Sequence, residues 1–162
     1  IKEKEKIVVL APDVGAVKTR TKEFSERLGI TLGRSVHFAM TDKTRKGADI
    51  DSQFLLGDVE DAYVIIYDDE AVTSSSLINA TKKAKEKKAK EVIACVTHAK
   101  FTDEGANKIG ESSIDILITT DSIPRSKEFF EEHKKFKLIS LDKLLGEAIR
   151  RIHNDEPLSP LF

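Results

Sequence analysis

The sequence predicts an α/β domain built on a mainly parallel sheet with helices on both faces. Three observations carry that prediction. Short β-branched apolar runs such as Ile7 to Leu10 and Ala62 to Tyr67 recur along the chain, and each suits a buried strand. Segments with apolar residues at helical spacing lie between them. Strands that alternate with helices favour a parallel sheet covered on both sides. A length of 162 residues fits one domain, on a prior of roughly 100–200 residues per domain. Residues 1–162 are therefore read as a single domain.

The elements follow in order. After the charged lead-in IKEKEK, Ile7 to Leu10 is the first strand. Asp13 to Gly29 reads as a helix, with Val17, Phe24 and Leu28 on one side and Gly29 as its stop. Val36 to Met40 is a second strand. Thr41 to Ser52 is polar, charged and aperiodic, which predicts an exposed loop. Phe54 to Leu56 is a short strand, and Ala62 to Tyr67 is the clearest one. Ser75 to Ala89 reads as a helix burying Leu77, Ile78, Thr81 and Ala84. Val92 to Val96, Ile114 to Ile118 and Lys137 to Ser140 complete the strands. Thr102 can cap a short helix ahead of Asp103 and Glu104. Leu141, Leu144, Leu145, Ala148, Ile149 and Ile152 mark an amphipathic C-terminal helix.

Composition excludes several classes of function. Twenty-seven Lys and Arg against 28 Asp and Glu leave a net charge of -1, so no global field draws the chain to nucleic acid or an anionic membrane. The basic window Lys82 to Lys90 is a solvated helix face, and aromatic residues, 6% of the chain, do not interleave with it for base stacking. No apolar run approaches the ~20 residues of a membrane span. The lone Cys95 cannot form an intrachain disulfide and reads as a buried small hydrophobe; a reducing, cytoplasmic compartment is expected. His98 and His153 read as structural. Ile1 stands where an initiator Met is expected, which suggests a segment of a longer chain.

In open α/β sheets ligands bind beyond the carboxyl ends of the strands. The residues expected on that rim are Ala11 to Gly15, Thr41 to Arg45, Asp68 to Ser76, Thr97-His98 and Thr119 to Asp121. Asp68 to Ser76 is the most telling stretch. Thr73, Ser74, Ser75 and Ser76 open a helix, where hydroxyls, backbone N–H groups and the helix dipole serve a phosphate. Asp68 and Asp69 cannot help a phosphate, but they can accept from sugar hydroxyls or hold a divalent cation. The two halves together suggest a phosphorylated sugar.

These residues also carry a resemblance. Ala11-Pro12-Asp13-Val14-Gly15 with Lys18, Gly57-Asp58-Val59, Ala94 to His98, Thr119 to Pro124 and Glu147 to Asn154 occur here as in the C-terminal half of ribose-phosphate pyrophosphokinases, which the chain resembles from Ile7 to Phe162. The resemblance implies a phosphoribosyltransferase-type (type I) fold. It also implies transfer of the pyrophosphoryl group of ATP to the C1 hydroxyl of ribose 5-phosphate. By motif, Asp68 and Asp69 would hold the ribose 2- and 3-hydroxyls and Thr73 to Ser76 the 5-phosphate. Asp13 would help hold Mg²⁺, and Lys43 and Arg45 would be the catalytic cations of a mobile loop. The family's habit further implies a homo-oligomer, or a hetero-oligomer with paralogues.

Two positions depart from the family's Asp-Asp-x-x-Asp-Thr-x-Gly-Thr form. Val72 replaces the third acid and Ser75 replaces the glycine, whose φ > 0 a serine resists. Two readings stand side by side: the ribose-phosphate half of an active pyrophosphokinase, or a catalytically inactive regulatory paralogue subunit.

Overall fold

A computed structural model describes residues 5–12, 21–46 and 49–161, with 43–46 and 49–53 described by backbone alone. The elements are β1 (Ile7–Ala11), α1 (Lys22–Leu32), β2 (His37–Lys46), β3 (Asp49–Leu56), β4 (Tyr63–Ala71), α2 (Ser75–Glu86) and β5 (Glu91–Ala99). They continue with α3 (Asp103–Glu111), β6 (Ile116–Thr120), α4 (Lys127–Glu132), β7 (Phe136–Ile139), α5 (Asp142–His153) and a 3₁₀ turn at Ser159–Leu161. The strands form a seven-stranded sheet in the order β3-β2-β1-β4-β5-β6-β7. Among the described residues only the β2–β3 pair is antiparallel.

Alternation along the strands sends their side chains into two cores. On one face Val8, Leu10, Val64, Ile66, Val92, Ala94 and Val96 meet Leu77, Ala80 and Ala84 of α2 and Ala106 and Ile109 of α3. On the other, Ile7, Val9 and Ile65 meet Phe24 and Leu28 of α1. Each fully buried Val, Leu or Ile side chain contributes about 1.5–3 kcal/mol. Helices therefore cover both faces, as the alternating pattern requires. Gly57, at φ 113, ends β3 where a Cβ would stand 2.7 Å from Ala39 Cβ. A side chain at that position would push the β2–β3 ribbon off the core.

Several boundaries differ from expectation. Thr41 to Ser52 is not a loop: its residues lie largely in β2 and β3, which pair from Met40↔Leu56 to Lys46↔Asp49. Ladder hydrogen bonds need no apolar period, so a polar hairpin leaves no trace in hydropathy. Gly29 does not stop α1, which runs on to Leu32. The helix ends at Gly33 (φ 62), where the Gly33 N–H donates to Ile30 O and the Arg34 N–H to Gly29 O. The expected start of that helix, Asp13 to Arg20, lies outside the described residues.

Helix α2 stops at Glu86 rather than Ala89. Strands β4 and β5 outrun their apolar cores because each supplies the other's ladder through Glu70↔His98 and Ala71↔Ala99. Helix α4 was not legible, since six residues give too little sequence to show a period. In α5 the amphipathic pattern is present but none of its residues is buried, and Ile149 is 67% exposed.

Four of the six lysines of the basic window are ion-paired: Lys83 with Glu86, Lys85 with Asp115, Lys88 with Glu60 and Lys90 with Glu5. Cys95 is half-buried rather than fully enclosed, and desolvation pushes its thiol up to about 11. Among the described residues no helix is long and apolar enough to cross a membrane.

Candidate functional site

The chain leaves β1 for β2 and β3 on one side and returns to β4 on the other. That reversal opens a crevice beyond the carboxyl ends of β1 and β4. Leu10 pairs with Ile66, so Pro12 and Asp68 each stand two residues past a matched pair. On the β1 side, fully buried Thr41 donates through Oγ1 to Pro12 O at 2.5 Å and to Ala11 O at 3.4 Å. Asp13, the expected Mg²⁺ ligand, lies outside the described residues. The backbones of Lys43 and Arg45 pair with Gln53 and Ile50 across the ribbon. Their side chains lie outside the described residues, and the loop expected to carry them is a strand.

On the β4 side, Asp68 and Asp69 are half-buried members of the strand, not of a following loop. The Asp69 N–H donates to Asp68 Oδ1 at 2.9 Å. Neighbours in a strand leave opposite faces, so the two carboxylates straddle the rim. Tyr67, just before them, stacks on Phe24 with centroids 4.4 Å apart, which anchors this end of β4 to α1. Glu70 is tied to Lys100 at 2.7 Å.

The start of α2 is built differently from those of α3 and α4. Thr102 and Ser126 accept from Gly105 and Phe129 N–H and cap α3 and α4, and each of those helices has acids in its first turn. Ser74, at φ -71, makes no side-chain cap, and the first turn of α2 has no acid. The first closing bond runs from the Ile78 N–H to Ser74 O at 3.0 Å. The N–H groups of Ser75, Ser76 and Leu77 thus have no partner within the helix, and the dipole adds positive charge there. An anion fits this end.

Of the four expected hydroxyl residues, Thr73, Ser75 and Ser76 reach the rim, whereas Ser74 is only 4% exposed and turns toward Gly105. Ser75 begins the helix and is not among the described residues with positive φ, so the strain expected of a serine there does not arise. Val72 is 60% exposed.

Further along the rim, Asp121 turns away from the crevice. It accepts from Ser140 Oγ at 2.5 Å and from the Leu141 N–H at 2.9 Å, fastening the start of α5, and these bonds hold its carboxyl below the usual range. His98 Nδ1 lies 2.9 Å from Ser122 Oγ, a partner that spacing in the sequence did not reveal. Among the described residues no three His, Cys, Asp or Glu side chains gather as a metal cage. Leaving opposite faces, Asp68 and Asp69 would each give Mg²⁺ at most one hard carboxylate ligand, in a shell completed by phosphate and water.

Comparison with known proteins fits this geometry. Residues 51–162 match the phosphoribosyl synthetase-associated domain. The chain belongs to that family. The ribose-phosphate pyrophosphokinase of Thermosipho africanus is 42% identical over 156 residues, 96% of this chain and 46% of the relative. That of Thermotoga maritima is 38% identical over 161 residues, 98% of this chain and 47% of the relative. The crystal structure of phosphoribosylpyrophosphate synthetase from Mycobacterium smegmatis superposes with a TM-score of 0.78 at 27% identity, covering 94% of this chain and 47% of that one. The synthetase-associated domain described here therefore spans about half the length of the relatives it matches. It has the phosphoribosyltransferase-type fold that the resemblance implied.

Proposed function

We propose that this synthetase-associated domain is the ribose 5-phosphate-binding half of a ribose-phosphate pyrophosphokinase, folding as one domain equivalent to the C-terminal half of its relatives. The observation that carries the reading is the start of α2, uncapped and free of acid, placed directly after Asp68 and Asp69 at the switch crevice. The 5-phosphate takes the N–H groups of Ser75, Ser76 and Leu77 with the hydroxyls of Thr73, Ser75 and Ser76. Asp68 and Asp69 accept from the 2- and 3-hydroxyls. Phosphoryl-type transfer relies on positioning and on cations near the transferring oxygens. Lys43 and Arg45 are assigned that role toward ATP, and Asp13 a share in Mg²⁺. Mg²⁺ when bound offsets charge on the nucleotide phosphates.

Calorimetric titration with ribose 5-phosphate tests the assignment. Asp69→Ala should weaken binding far more than Lys43→Ala, because the first accepts from the sugar and the second acts on the transferred group. Equal losses from both would contradict the division of roles. Exposed Val72, at the third acidic position of the family form that the sequence resembles, favours the second reading, a non-catalytic regulatory subunit. Ribose 5-phosphate binding with no turnover in the full-length chain would select it.

A further inference from the structure

The carboxyl ends of β5 and β6 carry a hydrogen-bond cluster that the site as described leaves unused. Thr97 O accepts from Thr120 Oγ1 at 2.7 Å and from Ser122 Oγ at 2.9 Å. The two hydroxyl oxygens are 2.9 Å apart, and the Ser122 N–H donates to Thr120 Oγ1 at 3.2 Å. His98 Nδ1 joins the cluster through Ser122 Oγ at 2.9 Å.

Counting hydrogens fixes the imidazole tautomer. A carbonyl only accepts, and each hydroxyl has a single hydrogen to give. A proton on Nε2 would oblige Nδ1 to take the hydrogen of Ser122. Ser122 Oγ would then face Thr97 O lone pair to lone pair. With the proton on Nδ1, the ring donates to Ser122 Oγ and Ser122 passes its own hydrogen to Thr97 O. That arrangement makes one more bond. The neutral ring therefore keeps its lone pair on Nε2, to which no described residue is bonded.

Position gives this acceptor a use. His98 pairs with Glu70 across β4 and β5, while Asp68 pairs with Val96. The imidazole, half-exposed, thus stands one strand over from the carboxylate pair, at the same carboxyl rim. On ribose 5-phosphate, Asp68, Asp69 and α2 account for the 2- and 3-hydroxyls and the phosphate. The C1 hydroxyl is the donor left over.

We infer that His98 Nε2 accepts a hydrogen bond from the C1 hydroxyl of the bound sugar phosphate, with Ser122 and Thr120 as positioning residues. This inference rests on the ribose 5-phosphate reading above.

A ligand–mutant cycle tests it. The probes are ribose 5-phosphate and 1,4-anhydroribitol 5-phosphate, which lacks the C1 hydroxyl. His98→Ala should weaken ribose 5-phosphate binding about fivefold and leave the anhydro analogue unchanged. Imidazole ¹⁵N shifts should show Nδ1 protonated in the unaltered chain, and Ser122→Ala should release the ring to both tautomers. Equal losses for both ligands, or for neither, overturn the inference, as does a predominant Nε2–H tautomer. Binding that survives with a flat cycle removes this inference alone. No binding of ribose 5-phosphate by a sample shown folded by circular dichroism removes the underlying reading with it.

Discussion

Thr41 Oγ1 stands 2.5 Å from the carbonyl oxygen of Pro12, fully buried, and so ties β2 to the outgoing end of β1 at the mouth of the crevice. Both groups are polar and lie where water does not reach the hydroxyl, so losing one strands the other. Thr41→Val keeps the shape and removes the donor. Urea denaturation should show a loss of about 1–3 kcal/mol. An unchanged midpoint would mean that Pro12 O finds another partner.

A carboxylate at the start of α2 should act with opposite signs on folding and binding. Ser75→Asp adds the first-turn acid that α2 lacks, and should stabilise the fold by about 0.3–1 kcal/mol. The same charge repels a phosphate, so affinity for ribose 5-phosphate should drop at least tenfold. Thermal unfolding and calorimetry on one sample read both effects. A variant that is more stable and binds equally well would remove the phosphate from this helix end.

Cys95 predicts an alkaline limit. Its thiol is raised by burial from an ordinary 9.0 to about 11. Between these values the unfolded thiol ionises and the folded one does not, so the unfolded state binds fewer protons. Stability contributed by this group should therefore be constant below pH 9 and fall as pH rises toward 11. Cys95→Ala should flatten that segment of the pH–stability curve. Labelling of the native thiol at pH 8 should be slow compared with that of the denatured chain.

Burial decides which apolar residues matter to stability, and α5 makes the contrast. Leu77→Ala, in a side chain with 0% exposure, should cost about 2–5 kcal/mol. Ile149→Ser, at 67% exposure, should change stability by less than about 0.5 kcal/mol. A large loss at Ile149 would show that α5 is packed in solution.

These contrasts also mark how far the sequence could be read. The strands carrying Val8, Leu10, Val64, Ile66, Val92 and Ala94 were legible because each supplies a short β-branched apolar run to the core, and β1 is buried on both faces. The hairpin through Thr41 to Ser52 was not, since its ladder is held by backbone groups that composition does not report. Helix α5 was legible as a helix, but periodicity identifies an apolar face and says nothing of what covers it. At the site, the stretch from Asp68 to Ser76 was found through its hydroxyls and its place after the best strand. The inward turn of Ser74 and the turn of Asp121 toward Ser140 depend on neighbours 31 and 19 residues away (Gly105 and Ser140), which no local pattern encodes.

The most direct test of the account is a ¹H–¹⁵N correlation spectrum of the chain titrated with ribose 5-phosphate. The account predicts saturable shifts concentrated at the amides of Ser75, Ser76 and Leu77 and at Asp68 and Asp69, abolished in Ser75→Asp. Shifts confined to other elements, or none at millimolar sugar phosphate from a folded sample, would contradict it.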